Sequence, residues 1–264
     1  MQHTTGSKVQ QRIGADTEQA GKSARWHLPS HLRLWLVAGI GLATDLLSKR
    51  WAFEHLDANP DPSCALVIVP HILTFRRSLN TGALFGLGKG LTPLFIGASV
   101  LALGFVLLLF IHSTRNRRSL HVALGLVLAG ALGNLYDRSF AIADVVRYTI
   151  DGRTHTEAFK RLPAEDNAHA IMVGTWPDGE YKRPILKKSV VSEHQQGVVR
   201  DFIKMEPKFT LWGRSIQIWP WVFNVADALL VVGVGLLMLN FWWERKAEIA
   251  ARQAAASAPA IEHD

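Results

Sequence analysis

The sequence predicts an all-α membrane protein built on four transmembrane helices. Three observations carry that expectation. Of 264 residues, 48% are hydrophobic and only 19% are charged, against a soluble norm of ~25% charged. Four apolar runs approach the roughly 20 residues needed to cross the hydrocarbon layer. The net charge of +7 comes from basic residues that flank those runs, which favours a membrane surface over nucleic acid.

The first expected span, 32–53, is the weakest, because Leu34 to Ala52 carries Asp45, Lys49 and Arg50. The second, 91–112, has no charged residue between Leu91 and Ile111. The third, 119–138, is uncharged from Leu120 to Tyr136 and ends on Asp137 and Arg138. The fourth, 220–243, holds one charge, Asp227, and is bracketed by Trp219 and Trp221 at one end and Trp242 and Trp243 at the other. Tryptophans at both ends resemble interfacial belts. Read as one helix, Trp221 to Trp242 covers about 31 Å, close to the thickness of a bilayer core.

Basic residues set the expected orientation. Lys22, Arg25 and Arg33 precede the first span, Arg115, Arg117 and Arg118 fill the tight loop between the second and third, and Arg245, Lys246 and Arg252 follow the fourth. Positive charge marks the cytoplasmic side. Both termini are therefore expected in the cytoplasm, with residues 1–31 and 244–264 as polar or Ala-rich tails and loops 54–90 and 139–218 outside. The first span does not read as a cleaved signal peptide, since its charges fall where a small-residue cleavage site would be needed. The lone Cys64 has no partner for an internal disulfide, and Pro62 and Ser63 precede it rather than the apolar core of a lipid-attachment site.

An ionisable residue within a span is costly and reads as functional. Asp45, Ser48 and Lys49 share one helix face, as do Asn134 and Asp137, and Asn224 and Asp227. With successive spans running in opposite directions, all three groups fall in the outer leaflet. Snorkelling would account for Lys49, Arg50 and Arg138, and interhelical hydrogen bonds for Asn134 and Asn224. Asp227, one to two turns inside an apolar helix, is the hardest to assign to packing.

The chain has no H-E-x-x-H, G-x-S-x-G, phosphate-loop or dinucleotide motif, and its 11 histidines are scattered. Carboxylates remain. Two of them around one water make an acid–base hydrolase, because like charges at close range share a proton and then serve as acid and base. Partners for Asp227 are Asp45, Asp137, Asp144 or Asp201. Two other classes compete. A proton channel or small transporter needs polar groups at successive depths, which the inner halves of the last three spans lack. A membrane scaffold would use the aspartates for helix packing. Both predict that Asp→Asn changes spare function.

Five stretches in order carry a family resemblance: Asp45-Leu-Leu-Ser-Lys49, Asn80-Thr-Gly-Ala-Leu-Phe-Gly86, Gly133-Asn-Leu-Tyr-Asp-Arg138, Val199-Arg-Asp-Phe-Ile203 and Phe223-Asn-Val-Ala-Asp227. Together they resemble the lipoprotein signal peptidases, or signal peptidase II, over roughly residues 34–243. The resemblance implies a bacterial inner-membrane aspartic endopeptidase that cuts before a diacylglyceryl-bearing cysteine of a prolipoprotein. It also implies inhibition by globomycin, no metal or cofactor, no nucleic acid, membrane lipids as surroundings and a monomer. The fold implied is four transmembrane helices with a small extracytoplasmic β-rich cradle, spanning 32–243 as one peptidase domain. By motif, Asp201 and Asp227 would be catalytic. Asn80, Gly82, Asn134, Arg138 and Asn224 would line the site, and Asp45, Lys49 and Asp137 would support it.

One departure stands out. In the family about ten residues separate the Asp-Arg pair from the loop aspartate, whereas roughly 60 lie between Arg138 and Asp201, far beyond an ordinary loop. Residues 140–196 read as an extracytoplasmic insertion with two or three short strands. Asp144 lies nearer the family distance and is a rival to Asp201. The Gly197-Val-Val-Arg-Asp-Phe-Ile context favours Asp201.

Overall fold

The computed structural model describes residues 23–82, 92–211, 214–217 and 219–256. Gly86, most of the tail 1–31 and the end of the tail 244–264 lie outside them. Four long helices are present among the described residues: α1 (Leu28–His55), α2 (Thr92–His112), α3 (Arg118–Phe140) and α4 (Val225–Ala256). Eleven strands in three antiparallel sheets accompany them. The protein is therefore mixed α/β, and the expected all-α fold with four spans is not what forms. Among the described residues, two helices, Arg118–Phe140 and Val225–Ala250, are long and apolar enough to cross a membrane. Helix α1 carries Asp45, Lys49 and Arg50 within its apolar run, and the described apolar stretch of α2 is Ile96–His112.

The start of α4 also differs from expectation. Val222 and Phe223 form a short strand paired with Lys204 and Ile203, so the helix begins at Val225. Trp219 and Trp221 thus precede the helix, and the length measured from Trp221 does not describe it.

Helix α3 is the centre of the helical layer, packed against α1 and α4. Ala123, Leu124 and Ala129 on it are fully buried. Small residues let the backbones approach. A Cβ on Gly130 would strike the Ala226 carbonyl, and one on Gly133 would strike the Asp45 carboxylate. Close contacts of this kind replace the hydrophobic driving force that lipid removes. Large apolar side chains point outward on the helices, among them Ile40, Leu101, Phe105, Val231 and Met238, as lipid-facing surfaces do. We expect Gly133→Ala to destabilise the protein by about 1–3 kcal/mol through overpacking, read as a lower thermal midpoint in detergent.

The first sheet holds β1 (Leu66–Val69), β2 (Leu73–Asn80), β8 (Val199–Met205) and β11 (Val222–Phe223), in the order β1-β2-β8-β11. It sits on the end of α1, where Phe53 and Leu56 pack with Phe202, Phe75 and Leu79. Phe75 pairs with Ile203 and Ser78 with Asp201, so Arg76 and Arg77 together oppose Phe202 in a bulge. Bulges re-aim side chains and are common beside functional sites. Strand β1 pairs only with Leu73, Thr74 and Phe75. Among the described residues, the side of β2 away from β8 has no strand partner from Arg76 to Leu79. Strands β9 (Lys208–Leu211) and β10 (Arg214–Gln217) form a separate hairpin.

The third sheet contains β3 (Ile142–Ile150), β4 (Arg153–Arg161), β5 (Ala170–Thr175), β6 (Glu180–Leu186) and β7 (Val190–Gly197), ordered β6-β5-β4-β3-β7. Five strands form here rather than two or three. The Asp151-Gly152 turn, with φ of 49° and 72°, joins β3 to β4 in the positive-φ geometry that two-residue hairpins demand. Val146, Tyr148, Phe159, Ile171, Val173 and Ile185 form this sheet's own core. Arg161 ties its strands together, pairing with Asp166 at 2.9 Å and Glu193 at 2.5 Å and donating to the Met172 carbonyl at 2.8 Å. At the base, the Val198 N–H donates to the Ala141 carbonyl at 2.9 Å, and Ile142 pairs with Gly197. Gly197 is required there, because any Cβ would collide with the Arg138 carbonyl.

Candidate active site

Asp201 and Asp227 reach one place from different elements. Asp201 lies mid-strand on β8, almost wholly buried. Asp227 lies in the first turn of α4. Asn224, fully buried between them, joins the two. Its Nδ2 donates to Asp201 Oδ1 at 2.6 Å, and its Oδ1 accepts the Asp227 N–H at 3.0 Å. Asp227 Oδ2 in turn accepts the Asn224 N–H at 3.4 Å. These reciprocal bonds form a capping box at the helix start. The i, i+3 spacing read from sequence as one face of a span is thus a cap, with Asn224 just outside the helix. The positive end of the helix dipole faces the Asp227 carboxylate.

The surrounding amides are used in full. Asn134 Nδ2 donates to Asp227 Oδ1 at 2.8 Å, and its Oδ1 accepts from Asn224 at 3.2 Å. Asn80 hydrogen-bonds the Asp201 side chain, and its Oδ1 accepts the Gly82 N–H at 2.9 Å. Arg138 donates to the Gly82 carbonyl. Burial raises the Asp201 carboxyl well above the usual carboxylate range, and the nearby Asp227 carboxylate adds to the effect.

Beneath this pair lies a buried ion cluster. Lys49 Nζ forms ion pairs with Asp45 Oδ2 at 2.7 Å and Asp137 Oδ2 at 3.3 Å and donates to Asn134 Oδ1 at 3.2 Å. Lys49, Asp45 and Asp137 are inaccessible to solvent. Asp45 also accepts the Ala226 N–H at 2.8 Å, so α1 caps α4. Arg200 completes the cluster, with Nη2 at 2.6 Å and Nε at 3.0 Å from Asp137 Oδ1 and its N–H at 2.9 Å from Oδ2. Sequence reasoning passed over Arg200, although its place beside Asp201 was a usable signal. Within the named cluster, four carboxylates (Asp45, Asp137, Asp201, Asp227) meet three cations (Lys49, Arg138, Arg200). One proton on the carboxylates makes the cluster neutral, which is what burial demands.

The structure brings together Asp45, Lys49, Asn80, Gly82, Asn134, Asp137, Arg138, Asp201, Asn224 and Asp227. It keeps Asp144 apart. That carboxylate, on β3, accepts the Arg161 N–H at 2.9 Å and the Gln195 side chain at 3.1 Å.

Residues 37–243 match the family model described as signal peptidase (SPase) II. The chain belongs to that family. The lipoprotein signal peptidase of Shouchella clausii is 32% identical over 206 residues, covering 78% of this chain and 90% of the relative. That of Desulfitobacterium hafniense is 27% identical over 215 residues, covering 81% and 96%. A solved bacterial membrane enzyme aligns with a TM-score of 0.49 at 20% identity, covering 92% of this chain and 98% of that one. As a signal peptidase II, the chain is a protease, and its apolar helices mark it as a membrane protein.

Proposed function

We propose that the protein is an aspartic endopeptidase that removes the signal peptide from diacylglyceryl-modified prolipoproteins, cutting N-terminal to the lipidated cysteine. The observation that carries this reading is the Asn224 amide, which joins the Asp201 carboxylate to the Asp227 backbone N–H in one cluster. Asp227 deprotonates a water. Asp201, protonated, donates to the scissile carbonyl oxygen, and the two then exchange roles as the amine leaves. Asn80, Gly82, Asn134, Arg138 and Asn224 line the site, and Asp45, Lys49 and Asp137 hold its frame. Lipid and signal helix anchor the substrate in the membrane, so the peptide bond is presented by proximity.

The same reading places the protein in the bacterial inner membrane as a multi-pass monomer among membrane lipids. The Asp137 and Asn224 ends of α3 and α4 face outward and both termini lie in the cytoplasm. Arg115, Arg117, Arg118, Arg245 and Lys246 at the opposite ends support that orientation. The one peptidase domain runs over 32–243, with 140–196 as its extracytoplasmic insertion.

The decisive assay follows the gel shift of a diacylglyceryl-modified prolipoprotein in detergent. Cleavage should stop with globomycin and proceed unchanged with a metal chelator; arrest by the chelator would overturn the two-aspartate mechanism. The pH dependence follows from Asp201. Its raised carboxyl stays protonated where a free aspartate has ionised. As pH rises from the ordinary carboxylate range to the raised value, the folded state binds more protons than the unfolded one, and this group's contribution to stability falls. The rate should be bell-shaped, its alkaline limb marking loss of the Asp201 proton. A rate that shows no carboxylate limb on either side would contradict the shared proton.

A further inference from the structure

A cavity of about 480 Å³ opens from Asp201 and runs between the first sheet and the inserted one. One wall is β2 from Arg77 through Asn80, its edge without a strand partner as far as Leu79. The facing wall comes from the insertion, with Phe159, Trp176 and Arg183 among its residues. Trp176 is fixed there, its Nε1 donating to the Ile142 carbonyl at 2.9 Å and its ring edge-on to Phe53 at 5.9 Å. Tyr181 bridges to Asp57 beyond the end of α1 at 2.8 Å. Arg183 lies over the Phe159 ring at 4.7 Å and pairs with Glu157 at 2.7 Å.

Two features of this cavity call for a polypeptide. An uncovered strand edge presents alternate N–H and C=O groups that an added strand can satisfy. Arg77, aimed by the bulge, also lines the cavity, and its Nε and Nη1 are buried without a hydrogen-bond partner. Those donors suit main-chain carbonyls. We propose that the substrate segment following the scissile bond binds here as an extended strand added to β2 at Arg76–Leu79, with the inserted sheet as its roof. The signal helix and the lipid leave Asp201 toward the membrane, so the mature-side chain takes the remaining exit. The inserted sheet thereby makes contacts with residues that lipid anchoring alone would leave unread. This inference rests on the peptidase reading above.

Strand addition is tested on the substrate. Diacylglyceryl-modified prolipoprotein peptides would carry a single N-methyl group at the second, third, fourth or fifth residue after the cysteine, and the full-length wild-type protein in detergent would cleave them. Methylation at alternate positions should raise KM by about tenfold with little change in kcat, since each removes one main-chain hydrogen bond, while the positions between are tolerated. Normal KM at all four positions would overturn the proposal. Cleavage of none of the peptides, the unmethylated one included, would sink the peptidase reading itself. A second measurement uses the Asp201→Asn protein and a peptide with a benzophenone at the third residue after the cysteine. Cross-links to residues 156–159 or 173–176 are expected, and cross-links confined to the helices would overturn the proposal.

Discussion

Asp201→Asn and Asp227→Asn should each lower cleavage of a diacylglyceryl-modified prolipoprotein by at least about 10³-fold, the scale of lost general acid–base catalysis. Each change is nearly isosteric, and the amide keeps an oxygen to accept the bonds from Asn224 or Asn134. The thermal midpoint in detergent should therefore stay close to that of the wild type. Asp144→Asn is the control. Its carboxylate is engaged by the Arg161 N–H and the Gln195 amide on the inserted sheet, away from the cluster, so cleavage should persist. Cleavage surviving both Asp201→Asn and Asp227→Asn would overturn the two-aspartate mechanism. Loss confined to Asp144→Asn and Asp227→Asn would move the pair.

Lys49→Met should cost about 3–5 kcal/mol of stability, because it strips the cation from two carboxylates that have no access to water. Methionine fills the volume, so the loss is electrostatic rather than a cavity. Thermal unfolding in detergent gives the single-mutant effect. Adding Asp45→Asn to Lys49→Met should restore part of the loss, since it removes one of the stranded charges, and the double-mutant cycle measures the coupling. A Lys49→Met protein as stable as the wild type would mean that Asp45 and Asp137 do not depend on that ion pair.

The positions of the helices were legible because long apolar runs announce themselves. Their membrane character was overread at α1, where Asp45, Lys49 and Arg50 lower the hydropathy of an otherwise suitable helix. The start of α4 was misplaced for a physical reason. Pro220-Trp-Val-Phe looks like the entrance to an apolar helix, yet Val222 and Phe223 gain more by pairing with β8, a contact with residues far back in the chain. Asn224 and Asp227 were correctly singled out together, but one spacing serves both a helix face and a capping box. The inserted strands were undercounted because β4, Arg-Thr-His-Thr-Glu-Ala-Phe-Lys-Arg, carries too few apolar residues to show alternation. It is held by neighbours on both sides instead. Nothing local to Asp45 indicates that it caps Ala226, 181 residues later.

The clasp at the foot of the inserted sheet has a thermodynamic meaning of its own. Ala141 and Val198 are already hydrogen-bonded to each other, so the chain leaves the helical layer and returns to it at one point. Loosening everything between them changes little of the distance the backbone must close. With its own buried core, and tied to the end of α1 through Trp176 against Phe53 and Tyr181 on Asp57, the sheet from Ile142 to Gly197 should open and reclose as a cooperative unit once those contacts part, while the helices stay assembled. Backbone amides there should exchange with solvent on their own schedule, set by Val146, Val173 and their neighbours rather than by the lipid-facing helices.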